Sequence, residues 1–129
     1  MNERSHNETC DDGECRVPAT GRPAVARAFD LLPPRHAEER LVGVFAALAD
    51  PTRARLLLAL ANGPLCVCDL ADVTGASQSA VSHQLSTLRD LDLVAFEREG
   101  RRAVYRLADD HVRDLLTIGL AHATEGETA

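Results

Sequence analysis

Tryptophan is absent from this chain, tyrosine occurs once, and aromatic residues make up only 3% of its 129 residues. Any core must therefore be aliphatic, and the 45% hydrophobic content is enough to build one. No apolar run approaches the roughly 20 residues that a membrane-spanning helix requires. The polar opening Met1-Asn2-Glu3-Arg4-Ser5-His6 lacks the apolar segment of a secretory signal, so a cytoplasmic location is expected. Cysteine is sparse, at four. Because cytosolic thiols stay reduced, these four are read as ligands or redox groups rather than as disulfides. Catalytic signatures are missing too. There is no nucleotide-binding loop and no nucleophile triad, and Cys66 and Cys68 form C-x-C rather than the C-x-x-C of a thiol oxidoreductase. An enzyme is not expected. Lysine is also absent, so all 14 basic side chains are arginine.

The formal charge of −6 argues weakly against nucleic-acid binding, but distribution matters more than the sum. Acids crowd the first fifteen residues (Glu3, Glu8, Asp11, Asp12, Glu14) and the C-terminal helix. Arg98, Arg101, Arg102 and Arg106 gather in one short stretch. Residues 1–22 show no apolar periodicity and read as a flexible arm carrying Cys10 and Cys15. A single domain is expected over 23–125, with a polar tail at 126–129.

Within that domain a short helix is predicted from Pro23 to Leu32, ended by Pro33-Pro34. The next starts near Arg35 and carries Leu41, Val44, Phe45 and Leu48 at the spacing of a buried stripe. Asp50-Pro51 reads as an N-cap followed by Pro in the first turn. It opens a Leu- and Ala-rich helix over Thr52–Ala61 that should be buried, stopped by Asn62-Gly63-Pro64. A third confident helix begins around Cys66–Cys68 and runs to Thr74. Gly75 turns the chain, and Ser77 caps a fourth that runs to about Leu91. Two strand-like runs, Leu93–Glu97 and Ala103–Leu107, flank Glu99-Gly100 as a β-hairpin. A last helix is expected from about Asp109 to Glu125. The fold class is thus mainly α with a small β-hairpin, in the order α-α-α-α-β-β-α, and helix–turn–helix followed by a hairpin is a winged helix-turn-helix.

The fourth of these helices has two faces. Val81, Leu85 and Leu88 form an apolar stripe. Ser79, Ser82, His83 and Ser86 repeat on another side, with Gln78 and Gln84 beside them. Uncharged polar groups suit a major groove, and Gln can pair bidentately with adenine. The N-terminal half of the second helix of a helix-turn-helix is where bases are read. Arg98, Arg101 and Arg102 at the hairpin tip are placed to grip phosphates or a minor groove. The competing reading is an ordinary amphipathic helix with a solvated hairpin.

The last helix carries two pairs of metal-capable side chains, Asp109 with His111 and His122 with Glu125. The eleven residues from His111 to His122 span three turns plus roughly 20°, which puts both histidines on one face about 16 Å apart. That distance is too large for a shared ion. Two copies packed antiparallel about a two-fold axis, however, bring Asp109 and His111 of one subunit to His122 and Glu125 of the other, giving two four-ligand sites per dimer. Solvated charges at the ends of a surface helix are the alternative.

Ala49-Asp50-Pro51-Thr52-Arg53, Leu65-Cys66-Val67-Cys68-Asp69-Leu70 and Ser79-Ala80-Val81-Ser82-His83-Gln84-Leu85 together resemble the ArsR/SmtB family of winged-helix, metal-responsive repressors. The resemblance runs from about Arg35 to Glu125 and is strongest to the branch responding to cadmium, lead and zinc. It implies a homodimer on palindromic double-stranded operator DNA, with metal weakening the DNA complex and releasing transcription of efflux or resistance genes. It also implies that the terminal helices pair across the dimer, with Asp109, His111, His122 and Glu125 on positions of a Zn²⁺ site. Cys66 and Cys68 fall on the family's cysteine site, and Cys10 and Cys15 resemble the arm thiols that complete it from the other subunit. Four residues separate Cys10 from Cys15 where the cadmium sensors usually have three. Asp69 is a possible substitute ligand.

Four thiolates favour soft ions such as Cd²⁺ and Pb²⁺, whereas two histidines and two carboxylates suit Zn²⁺. Neither a membrane partner nor a small-molecule substrate is expected. Two other readings compete: a winged-helix repressor whose cysteines sense oxidation, and a metal site that only locks the dimer.

Overall fold

The computed structural model describes Pro18 and residues 21–127, so Cys10, Cys15 and nearly all of the expected arm lie outside the described residues. The elements are α1 (Pro23–Leu31), α2 (Arg35–Leu48), α3 (Pro51–Leu60), β1 (Leu65–Cys66), α4 (Val67–Thr74), α5 (Gln78–Asp90), β2 (Val94–Glu99), β3 (Arg102–Leu107) and α6 (Asp110–Ala123). The chain divides after Glu38 into two units. In the first, α1 starts with Pro23 in its opening turn and buries none of its residues, leaving Phe29 and Leu31 exposed.

The second unit holds the core. Leu56, Leu57 and Leu60 of α3, Leu70 of α4, and Val81, Leu85 and Leu88 of α5 are completely buried. Val94, Tyr105 and Leu107 add the sheet's inner face, Leu93 packs just before β2, and Val112 and Leu116 dock α6. Local chemistry sets the boundaries of these elements. Asp50 caps α3 by accepting from the Arg53 N–H at 3.0 Å, with Pro51 at the first helical position. Gly75 ends α4 in the left-handed conformation at φ 73°. Ser77 then caps α5 by accepting from the Ala80 N–H at 3.1 Å.

The sheet is larger than the expected hairpin. β1 pairs antiparallel with β3, placing Cys66 opposite Val104, and the strand order is β1-β3-β2. β2 and β3 run in register from Val94↔Leu107 to Glu99↔Arg102. Their two-residue loop, Gly100-Arg101, begins with Gly100 at φ 62°, a position where glycine is preferred.

Three sequence expectations need correction. The stripe on α2 is only half inside: Val44 and Leu48 pack on the core, but Leu41 and Phe45 are 54% and 52% exposed. Periodicity identifies an apolar face without saying whether a single chain can cover it. Leu58 of α3 is likewise partly exposed, at 39%. Finally, α6 is shorter than expected at both ends, because Asp109 serves as its N-cap and Thr124 as its C-cap, leaving Glu125 just beyond the helix.

Candidate nucleic-acid interface and metal half-sites

Burial of Val81, Leu85 and Leu88 turns the opposite side of α5 outward, and Gln78, Ser79, Ser82, His83 and Ser86 are all exposed there. No acidic residue lies between Gln78 and Arg89, so this stretch of α5 itself presents no carboxylate to a phosphate backbone. Gln84 is placed differently. It is half-buried, and its Oε1 accepts from Arg53 Nη1 at 3.3 Å. The same arginine donates from Nε to the Ala47 carbonyl at 3.1 Å, so it ties the end of α2 and the start of α3 to the middle of α5. Sequence reasoning assigned no role to Arg53. The available signal was its place three residues after the helix-capping Asp50.

The hairpin is braced against α5 by aromatic packing. Phe96 and Tyr105, paired across the strands, have ring centroids 5.2 Å apart at 59°. The Arg89 guanidinium, at the end of α5, lies 5.1 Å from the Phe96 ring centre, and that of Arg98 lies 5.7 Å away. Arg98, Arg101 and Arg102 are exposed at or near the tip. Arg106 is instead held within the sheet by Glu97 at 3.0 Å.

The cysteines stand where the helix-turn-helix begins. Cys66 is buried at the N-cap of α4, Cys68 is exposed in its first turn, and both thiols are free. The Cys68 sulfur accepts from Gln78 Nε2 at 3.7 Å. Arg102 is held above the ordinary guanidinium range, first by its side-chain interaction with Cys66 and further by the nearby carboxylates of Asp69 and Glu99.

On α6 the four expected ligands form two local pairs. His111 Nδ1 lies 3.6 Å from Asp109 Oδ1, and His122 Nδ1 lies 3.7 Å from Glu125 Oε2. Both contacts are too long for strong hydrogen bonds. They lie close to the edge of a tetrahedral zinc site, which metal–ligand distances near 2.0–2.1 Å set at about 3.4 Å. Both histidines are exposed, at 95% and 86% of their side chains. Leu115 and Ile118 lie between them at helical spacing, and Ile118 is 68% exposed. The Asp109 oxygen also accepts from the Val112 N–H at 3.1 Å. Among the described residues, no three His, Cys, Asp or Glu side chains converge within one protomer.

Residues 50–95, the helix-turn-helix and the start of the wing, match the model of the bacterial regulatory protein arsR family. A transcriptional repressor SmtB homologue from Synechocystis is 48% identical over 89 residues, covering 69% of this chain and 67% of that one. The chain belongs to the ArsR family. A cadmium resistance transcriptional regulatory protein CadC homologue of Staphylococcus aureus is 37% identical, covering 64% and 69% of the two chains. The homodimeric winged helix-turn-helix DNA-binding domain of a protein from Mycobacterium bovis described as a possible ArsR-family transcriptional regulator superposes with a TM-score of 0.64 at 28% identity, over 77% and 97% of the chains. The protein is thus a winged-helix DNA-binding transcriptional regulator of the ArsR/SmtB type, and its relatives are regulators rather than enzymes. Among the described residues, no helix is long and apolar enough to cross a membrane.

Proposed function

We propose that this ArsR-family protein is a metal-sensing repressor that holds operator DNA as a homodimer and lets go when a thiophilic or borderline divalent ion binds. The observation that carries this reading is the spacing on α6. Two His–carboxylate pairs, 3.6 and 3.7 Å across, stand exposed at the two ends of one helical stripe. Each pair supplies half of a four-coordinate site, and an antiparallel partner helix supplies the other half. The donor set fits Zn²⁺. Cys66 and Cys68, with Cys10 and Cys15 from the partner's arm, make a second, softer set suited to Cd²⁺ or Pb²⁺. Exposed apolar residues between the half-sites give the partner a surface to cover.

The protein supplies the rest of the mechanism. Gln78, Ser79, Ser82, His83 and Ser86 face base edges, while Arg98, Arg101 and Arg102 neutralise phosphates. In a symmetric dimer the two reading helices must lie about one turn of DNA apart, near 34 Å. An ion clamped between subunits favours one dimer geometry and shifts the population away from the DNA-competent one.

The test is fluorescence-anisotropy titration of operator DNA with wild type, Cys66→Ser and His111→Ala, each without metal and with Cd²⁺, Pb²⁺ or Zn²⁺. Saturating metal should weaken wild-type binding about 5- to 150-fold. His111→Ala should lose the Zn²⁺ effect, and Cys66→Ser the Cd²⁺ and Pb²⁺ effects. Unchanged operator affinity at saturating Cd²⁺ and Zn²⁺ would defeat the proposal. Loss of DNA binding on oxidation, without any metal effect, would mark a thiol-redox repressor instead.

A further inference from the structure

The DNA-reading helix and the cysteine pair meet at one contact. Gln78, the first residue of α5, donates from Nε2 to the sulfur of Cys68 in the first turn of α4. The backbone between them is fixed by other bonds. Thr74 Oγ1 donates to the Leu70 carbonyl at 2.9 Å and accepts from the Ala76 N–H at 3.3 Å. Gly75 takes the left-handed turn, and Ser77 caps α5. The contact to sulfur therefore sets the rotamer of one exposed side chain and little else.

That side chain occupies a critical place. The N-terminal residues of a reading helix contact base edges, and an amide that pairs bidentately must present its oxygen and one N–H together. With its other N–H on Cys68, Gln78 still has both groups to offer. Holding it in one orientation beforehand removes ordering entropy from the DNA-binding step. We propose that Cys68 is a positioning residue for DNA recognition: its free sulfur pre-sets Gln78 for the groove, and capture of that sulfur by a soft ion releases Gln78 within the same subunit. The second clause rests on the metal-sensing reading; the first does not. This route differs from a change in dimer geometry, because it joins the thiol site to the base-reading end of α5 inside one protomer.

A double-mutant cycle on the metal-free, full-length protein tests it. Operator affinity is measured for wild type, Cys68→Ala, Gln78→Ala and the double variant, with thermal melts showing that each is folded. Cys68→Ala should weaken binding about 2- to 10-fold in the wild-type background and have no further effect on Gln78→Ala. Cys68→Ser, whose hydroxyl can accept the same N–H, should recover the larger part of the loss. A loss purely through global structure would appear equally in both backgrounds. Equal effects of Cys68→Ala with and without Gln78, or no effect in either, overturn the proposal. A Cd²⁺ titration of wild type, read by thiolate absorption and by operator affinity, runs alongside. If the cycle is non-additive but Cd²⁺ leaves the operator bound, the positioning role stands and metal release fails. If Cd²⁺ releases the operator but the cycle is additive, the coupling through Gln78 is wrong.

Discussion

At the residue scale, Arg53 shows how far one side chain can reach. It is not a core residue, yet it joins three helices through the Ala47 carbonyl and Gln84 Oε1 while its own N–H satisfies the Asp50 cap. Replacing it with alanine strands partly buried acceptors and should cost about 1–3 kcal/mol of stability, measured by urea unfolding. Asp50→Ala removes only the cap and should cost about 0.5–2 kcal/mol in the same assay. The sequence made the cap legible, because Asp-Pro at a helix start has a local physical meaning. It could not place Gln84. A polar residue on that side of α5 serves equally well to read a base or to accept from a neighbouring helix, and the choice was made by Arg53, 31 residues away in the chain. Cys66 and Cys68 were legible as a pair, but nothing local announced that one would be buried beside the wing and the other bonded to Gln78.

Between elements, α5 packs on the core with one face and against the wing at its end. Leu85 is completely buried in the middle of α5, so Leu85→Ala should destabilise the domain by about 2–5 kcal/mol. The wing has a different job. Arg101 is exposed in the hairpin loop. Arg101→Ala should leave the melting temperature unchanged, weaken binding to all DNA sequences alike, and lower the salt-dependence slope by about 0.9 if it neutralises one phosphate. Anisotropy titrations at several salt concentrations would measure that slope. Both wing strands were legible from their alternation and from Glu99-Gly100. The third strand was not, since two residues, Leu65 and Cys66, are too few to show a period. Its existence depends on hydrogen bonds to β3 some forty positions later.

For the whole molecule, the order of elements followed from caps, breakers and apolar periodicity, and the winged-helix architecture with it. What periodicity could not settle was the fate of the apolar faces that one chain leaves open. Leu41, Val42 and Phe45 on α2 and Ile118 and Leu120 on α6 are exposed in the single protomer. If the proposed dimer covers Ile118 between the metal half-sites, Ile118→Glu should shift the protein toward monomer in sedimentation velocity. Operator affinity and Zn²⁺ affinity should then fall together, while both wild-type values persist in variants of the exposed α1 residue Leu31.

In the proposed metal-bridged dimer, the eleven-residue interval between His111 and His122 also constrains how this helix can change. Adding or deleting one residue anywhere between them swings one imidazole about 100° around the axis relative to the other. One half-site would then face away from any partner, even if every ligand were retained. Substitutions at the outward positions of this segment cost little so long as an oily surface survives, but its length is locked.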